Sequence, residues 1–180
     1  MNMTDLVKNA GRGSMSASRE LYQMFHKAMY KICIRMTGNK KDAEDLLQDS
    51  FLIAFNNLSD LQDPERFGGW LKKIVLNECI KFCKKRVSRI DLDNSHLCYI
   101  DEADYSWWLD VQIEELHEYI KKLPNGCRLV FNLFVNEDYS HKRIAETLQI
   151  SEGTSKSQYF RAKALLKQSI NAKYLKNGQV

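Results

Sequence analysis

The stretch YSHKRIAETLQISEGTSKSQYFRAKALLKQ, residues 139–168, decides the fold because it predicts two helices joined by a tight turn. Ser140 is placed to cap a first, short helix, and Ser151 is placed to cap a second, longer one. The turn between them falls on Gln149 and Ile150. Apolar residues recur at helical spacing along one side of both helices, so the segment predicts a helix-turn-helix.

The outer face of the second helix is basic. One stripe of this helix consists of Ser155, Tyr159, Ala162 and Leu166. The other side of the helix then carries Lys156, Ser157, Phe160, Arg161, Lys163 and Lys167. A helix that reads a major groove uses cations to hold phosphates, while a hydroxyl and an apolar ring reach the base edges. The pattern therefore indicates DNA reading. The alternative is an ordinary helical hairpin with a solvated lysine face.

Length and composition favour a helical protein with one or two domains. The chain has 180 residues, only eight Gly and two Pro, and apolar residues that mostly recur at intervals of three and four. These features predict an all-α fold. The first twenty residues lack the apolar core of a signal peptide, and no run of apolar residues is long enough to span a bilayer. We therefore expect a cytoplasmic protein without direct membrane insertion.

The five cysteines are an odd set without CxxC spacing, which argues against a disulfide framework and favours free buried thiols. A zinc site could be drawn from Cys79, Cys83, His96 and Cys98, since the first two lie one helical turn apart. That spacing matches none of the usual closed zinc patterns. We therefore expect neither a metal nor another cofactor.

Charge is segregated along the chain. Residues 66–89 hold eight basic residues against Glu78, a balance of +7, whereas residues 91–115 hold eight acids and no Lys or Arg, a balance of −8. Two basic bodies joined by a flexible acidic linker are predicted, as in a protein that touches nucleic acid at two places. The alternative is that each lysine face is simply solvated.

The first part of the chain predicts two main helices. A short amphipathic start at Leu6 precedes a flexible stretch at 11–18, and a strong helix then ends near Gly38. The next helix begins close to Asp42 and has a broad apolar stripe. The residues outside this stripe are either solubilising or a docking face, and they are Glu44, Asp45, Gln48 and Asp49.

A loop at 59–67 and three further helices complete the pattern. Gly68 and Gly69 open a helix whose lysines point outward. Ile113 restarts a helix after the acidic segment, and Pro124 opens the one that leads into the helix-turn-helix.

Four segments together resemble an extracytoplasmic-function sigma factor, the small two-domain branch of the bacterial sigma-70 family. They are DAEDLLQDSFLIAF at 42–55, FGGWLKKIVLNECIKFCKKR at 67–86, LPNGCRLVFNLFV at 123–135 and YSHKRIAETLQISEGTSKSQYFRAKALL at 139–166. Their order and spacing match the family, which is far more specific than a lone helix-turn-helix. The resemblance implies a region 2 domain at 1–89, a linker at 90–111 and a region 4 helix-turn-helix domain at 112–180.

The resemblance also implies a role for each surface. Contacts with the clamp helices of core RNA polymerase are implied for Glu44, Asp45, Gln48 and Asp49. Capture of a flipped base and grip on the melted minus-ten strand are implied for Gln62, Asp63, Arg66, Phe67, Trp70, Lys73, Asn77, Lys81 and Lys84. Reading of the minus-thirty-five element is implied for Lys156, Ser157, Phe160, Arg161 and Lys163.

Three residues depart from the family pattern. Gln149 stands where the family usually places Gly, and a positive φ there would cost about 1 kcal/mol. Arg143 replaces the Glu that would complete a capping box with Ser140. Ser155 replaces an apolar residue, so we expect it to weaken the helix-turn-helix core.

The expected function is that of a dissociable initiation subunit whose partners are core RNA polymerase, promoter DNA and an anti-sigma factor. It would supply no catalytic group, since no cluster of nucleophile, base and orienting residue is apparent. The first alternative is a stand-alone helix-turn-helix regulator, which would bind duplex DNA without polymerase. The second is a thiol or zinc sensor built from the cysteines and His96.

Overall fold

The computed structural model describes residues 2–86 and 113–177, and within these ranges the chain forms only helices and the turns between them. The helices are α1 Met3–Gly11, α2 Met15–Thr37, α3 Lys40–Asn56, α4 Phe67–Arg86, α5 Ile113–Lys122, α6 Asn125–Val135, α7 His141–Leu148 and α8 Glu152–Asn177. Two short 3-10 turns, Leu58–Asp60 and Pro64–Arg66, lie between α3 and α4. The prediction of an all-α fold is confirmed.

The chain divides into two compact units, Met1–Phe82 and Cys83–Val180. The predicted domain boundaries near 89 and 112, and the acidic linker between them, lie outside the described residues and stay predictions. None of the described helices is long and apolar enough to cross a membrane.

The first unit is built on aromatic packing between α2, α3 and α4. Phe67 opens α4 and lies edge-on to Phe25 of α2, with ring centroids 5.3 Å apart. Gly68 allows this close approach, since a Cβ at that position would lie 2.7 Å from the Phe25 ring. On the α3 side, Tyr22 packs against Phe51 at 4.7 Å. These contacts hold α3 and α4 against α2 and thereby fix the two ends of the loop between α3 and α4.

The predicted flexible stretch at 11–18 is instead the end of α1 and the start of α2, so that prediction was wrong. Only a three-residue turn separates the two helices, and within it Gly13 adopts a φ of +88°. Ser14 caps α2 by accepting a hydrogen bond from the Ala17 amide at 3.4 Å. The small residues that resembled a loop are thus a helix cap and a tight turn.

The helix-turn-helix forms with both predicted caps. Ser140 Oγ accepts from the Arg143 amide at 3.2 Å, and Ser151 Oγ accepts from the Thr154 amide at 2.9 Å. Gln149 ends α7 in the left-handed region, with a φ of 59° and a ψ of 47°. The positive φ that the sequence analysis considered is therefore present, and it costs a non-glycine residue about 1 kcal/mol.

Arg128 closes the connection between α5 and α6. It is only 7% exposed. Its guanidinium donates to the carbonyls of Lys121 and Leu123, each at 2.9 Å, and to Asn125 Oδ1 at 2.6 Å. Burial lowers the pKa of Arg128 from its usual value, but the group stays a cation at neutral pH. A buried cation at a helix C-terminus satisfies carbonyls that would otherwise lack partners.

Candidate nucleic-acid interface

A cavity of about 730 Å³ lies where the loop before α4 meets the first turns of that helix. Its lining residues are Asp60, Leu61, Gln62, Asp63, Arg66, Gly69, Trp70 and Lys73. The volume falls in the range of small-molecule sites, so it is ample for one unstacked base. The indole ring of Trp70 can stack on such a base, while Arg66 and Lys73 can hold the adjoining phosphates.

The loop that forms this cavity is braced by side-chain hydrogen bonds and an ion pair. Asp63 Oδ1 accepts from the Glu65 amide at 3.1 Å, and Asp63 Oδ2 lies 3.3 Å from Arg66 Nε. Thr4 of α1 donates to Glu65 Oε1 at 2.7 Å. The helix α1, which was predicted only as a short amphipathic start, therefore contacts the cavity loop through this hydrogen bond.

A polar stripe continues from the cavity along α4. Its members recur at intervals of three and four and are Trp70, Lys73, Asn77, Lys81 and Lys84. Trp70 and Lys84 are half-buried, and the other three side chains are exposed. Lys81 Nζ lies 2.6 Å from Glu78 Oε1, so one acid partly offsets the positive charge of the stripe. The predicted residues of this helix are thus brought onto one face, as a strand-binding track requires.

Phe67 does not belong to this surface. It is 0% exposed and packs between Phe25 and Trp70, so it cannot reach a base without leaving the core. The structure thus corrects the expectation of a direct DNA contact. Phe67 instead supports the indole ring of Trp70, with ring centroids 6.1 Å apart.

A separate polar face lies on α3. Its predicted members are all exposed, and they are Glu44, Asp45, Gln48 and Asp49. The buried residues Leu46, Leu47 and Phe51 hold the opposite side of the helix in the core. Leu52 lies four residues after Gln48 and is 61% exposed, so it adds an apolar side chain to the same face. Leu52 was not among the predicted residues of this face, although an apolar residue outside the apolar stripe could have indicated it.

The start of α8 presents the predicted reading residues. Lys156 is exposed, and Ser157, Phe160 and Arg161 are half-buried. Lys156 Nζ lies 2.9 Å from Glu152 Oε1, and this hydrogen bond lowers the pKa of the Glu152 carboxyl below its usual value. DNA phosphates would have to compete with Glu152 for that ammonium group.

Lys163 was expected on the outer face, and the structure corrects this placement. It is 2% exposed, and its Nζ lies 5.6 Å from the Tyr159 ring centroid and 5.7 Å from that of Phe160. Position 163 follows Tyr159 by four residues, so it falls on the same buried side of the helix. Lys163 therefore does not lie on the outer face of α8.

The cysteines show no sign of a metal site in the part of the chain that the structure describes. The buried cysteines Cys33, Cys79, Cys83 and Cys127 are thiols that are not joined in disulfides. No group of three or more potential ligands comes together among the described residues. His96 and Cys98, which the zinc hypothesis requires, lie outside them.

Two family models match the chain in the predicted order. Sigma-70 region 2 matches residues 21–89, and Sigma-70, region 4 matches residues 113–166. The chain belongs to the sigma-70 family as an extracytoplasmic-function sigma factor, a subunit that directs RNA polymerase to promoters. The family and the function that the sequence resemblance implied are thereby confirmed.

Curated relatives span most of the chain. SigM, an ECF RNA polymerase sigma factor of Bacillus subtilis (strain 168), is 29% identical over 154 residues, covering 84% of this chain and 94% of SigM. SigW of the same bacterium is 26% identical over 176 residues, covering 91% and 94%. The RNA polymerase sigma-H factor of Pseudomonas aeruginosa is 24% identical over 177 residues, covering 92% of each chain.

Two solved structures are also similar. One is the sigma factor RpoE of Bartonella quintana in complex with the anti-sigma factor NepR, at a TM-score of 0.48 and 20% identity, covering 83% of this chain and 94% of that chain. The other is CnrH in complex with the cytosolic domain of CnrY, at a TM-score of 0.46 and 22% identity, covering 93% and 96%.

Proposed function

We propose that the two units read two elements of one promoter and that α3 holds the polymerase. The observation that carries this proposal is the cavity beside Trp70, which continues into a partly exposed basic stripe on α4. A melted strand needs a pocket for an unstacked base followed by a track for its phosphates, and these features occur there side by side. The minus-ten strand is therefore assigned to the cavity and to α4.

In this proposal the residues that line the cavity have different roles, which follow from their chemistry. Trp70 supplies the stacking surface, while Arg66 and Lys73 neutralise phosphates at the rim of the cavity. Gln62 and Asp63 supply hydrogen-bonding groups for the edge of the flipped base. Asn77, Lys81 and Lys84 then follow the strand along α4.

The α3 face is assigned to core RNA polymerase. This face presents three exposed carboxylates and one exposed amide, which suit a basic helical partner. They belong to Glu44, Asp45, Gln48 and Asp49. Leu52 lies beside them and supplies apolar area at the same contact.

The start of α8 is assigned to the minus-thirty-five duplex. Lys156 and Arg161 are its cations, and Ser157 and Phe160 are the side chains suited to base edges. Each good contact of an arginine with a base edge contributes about 1–3 kcal/mol of discrimination, whereas a phosphate contact adds affinity without sequence choice.

The α8 assignment predicts that Arg161→Ala relaxes the choice of upstream element and that Lys156→Ala weakens all sequences alike. For Arg161→Ala we expect the ratio of holoenzyme affinities for native and scrambled minus-thirty-five fragments to fall by roughly tenfold. For Lys156→Ala we expect the same ratio of affinities as in the unaltered chain. The slope of log affinity against log salt concentration should become shallower by about one. Fluorescence anisotropy over a salt series measures both quantities.

Lys122→Ala is the matched control for this experiment. Lys122 is an exposed lysine of α5, so its removal lowers the net charge equally but leaves α8 intact. If Arg161→Ala behaves like Lys122→Ala, the assignment of α8 to base reading is wrong.

The remaining parts of the proposal concern partners and setting. An anti-sigma factor is the inhibitor expected for a member of this family, and the cytoplasm is the compartment where core polymerase works. The chain supplies no catalytic group in this scheme, because polymerase performs the chemistry and the sigma factor positions the promoter.

A further inference from the structure

Ser155 occupies a sensitive position at the start of α8. It directly precedes Lys156 and Ser157, and it is 0% exposed although its side chain is polar. Its Oγ lies 2.9 Å from Nδ1 of His141, the first residue of α7. The hydroxyl that was expected to weaken the helix-turn-helix core is therefore satisfied by a second polar side chain.

The His141 ring is itself held from two sides. It stacks on Phe134 of α6, with centroids 4.4 Å apart and an interplanar angle of 16°. It also meets the Tyr159 ring of α8 edge-on at 5.7 Å and 61°. The imidazole thus joins α6, α7 and α8 at one point, and the hydrogen bond to Ser155 fixes the first turn of α8 against the other two helices.

The surroundings of His141 favour its neutral form. Burial lowers the pKa of His141 below the ordinary value of 6.5, and the nearby positive charge of Lys156 lowers it further. The Glu152 carboxylate acts in the opposite direction and does not reverse the shift. Tyr159 faces the ring from α8, and Lys142 adds a positive charge on α7 itself. His141 is also the first residue of α7, where the positive end of the helix dipole disfavours a protonated imidazole.

We propose that His141 is a positioning residue for upstream-element reading, which makes that reading dependent on pH. The neutral imidazole and Ser155 hold the first turn of α8 in place, and protonation of the ring destabilises this junction and loosens Lys156 and Ser157. The proposal rests on the assignment of α8 to the minus-thirty-five element.

The direction of the pH effect follows from linkage. A group whose pKa is lowered by folding contributes its full stability above its ordinary value, here 6.5. That stability is lost as the pH falls below 6.5 and through the lower pKa of the folded state. The junction should therefore be intact at neutral pH and weakened in mild acid.

The test compares holoenzyme affinities for native and scrambled minus-thirty-five fragments between about pH 7.5 and pH 5.5, a range that spans the ordinary titration of histidine. For the unaltered chain we expect this ratio to fall roughly threefold or more in acid. The double variant H141F/S155V keeps the aromatic stacking and removes both polar groups, so its ratio should stay high and independent of pH. The single variant His141→Phe leaves Ser155 without its partner, and its ratio should be reduced at every pH.

Discrimination between native and scrambled minus-ten fragments, measured on the same samples, serves as the control for general effects of acid on polymerase. A minus-thirty-five ratio that falls equally in the unaltered chain and in H141F/S155V would overturn the proposal. A ratio near one at neutral pH in the unaltered chain would instead show that the α8 assignment itself has failed.

Discussion

Gln48→Lys in α3 is expected to reduce the affinity for core RNA polymerase by at least about tenfold, and Asp45→Lys should act in the same way. Both side chains are exposed on a helix whose opposite side is buried, so neither substitution should disturb the core. A new cation opposite a basic partner surface creates like-charge repulsion, which costs several kcal/mol at a docked interface. The dissociation constant, measured by titrating labelled sigma factor with core enzyme, gives the effect directly.

Gln23→Lys is the matched control for this prediction. It makes the same chemical change at an exposed position on α2, outside the α3 face. We expect its affinity for core enzyme to stay within about twofold of the unaltered chain, since scattered surface charges contribute little. Equal affinities for Gln48→Lys, Asp45→Lys and Gln23→Lys would contradict the assignment of α3 to polymerase.

Arg128→Leu is expected to lower the free energy of unfolding of the second unit by about 2–4 kcal/mol. The substitution removes a guanidinium that satisfies two backbone carbonyls at the end of α5 and the side-chain oxygen of Asn125 at the start of α6. Leucine fills part of the space but removes the donor from these buried and part-buried acceptors. Scanning calorimetry should show the transition of the second unit moving to lower temperature while that of the first unit stays in place.

Two further variants separate hydrogen bonding at Arg128 from charge and volume. Arg128→Lys keeps the cation but lacks the planar fork of donors, so it should recover only part of the loss. Arg143→Leu removes an exposed arginine that stacks on Tyr139 at 3.6 Å, and it should cost less than about 1 kcal/mol. A full recovery by Arg128→Lys would mean that the hydrogen-bond geometry is unimportant.

Local signals in the sequence were sufficient for the helix-turn-helix. Ser140 and Ser151 could be read as caps because a cap depends only on the next three residues, and both hydrogen bonds are present. The opposite reading at 11–18 failed because Gly13 and Ser14 form a turn and a cap within only three residues. Short connectors and true loops use the same residue types.

Residues whose roles depend on distant partners could not be predicted. Lys163 was misplaced because positions three and four beyond Tyr159 both continue a helical stripe, and only the packing of neighbouring helices shows how wide the buried side is. Arg128 contacts residues of the preceding turn, and the sequence analysis passed over it within the apolar segment of α6. The hydrogen bond between His141 and Ser155 spans fourteen positions and joins two helices, so neither residue reveals it alone.

The surfaces were easier to predict than the details of each contact. The stripe on α4 and the face on α3 follow from helical periodicity, so each set lies on one side of its helix, while the binding roles of these residues stay predictions. Phe67 was the exception in the minus-ten set, because an aromatic residue at the start of a helix serves a core as readily as a base pocket. In the structure, Phe67 is buried against Phe25 and belongs to the core.

Start-site mapping on genomic DNA in vitro, with core RNA polymerase alone and with the purified chain added, tests the central claim most directly. We expect a set of start sites that appears only when the chain is present, and we expect these sites to share an upstream and a downstream element at fixed spacing. Transcripts that are identical with and without the chain would contradict its role as a promoter-directing subunit.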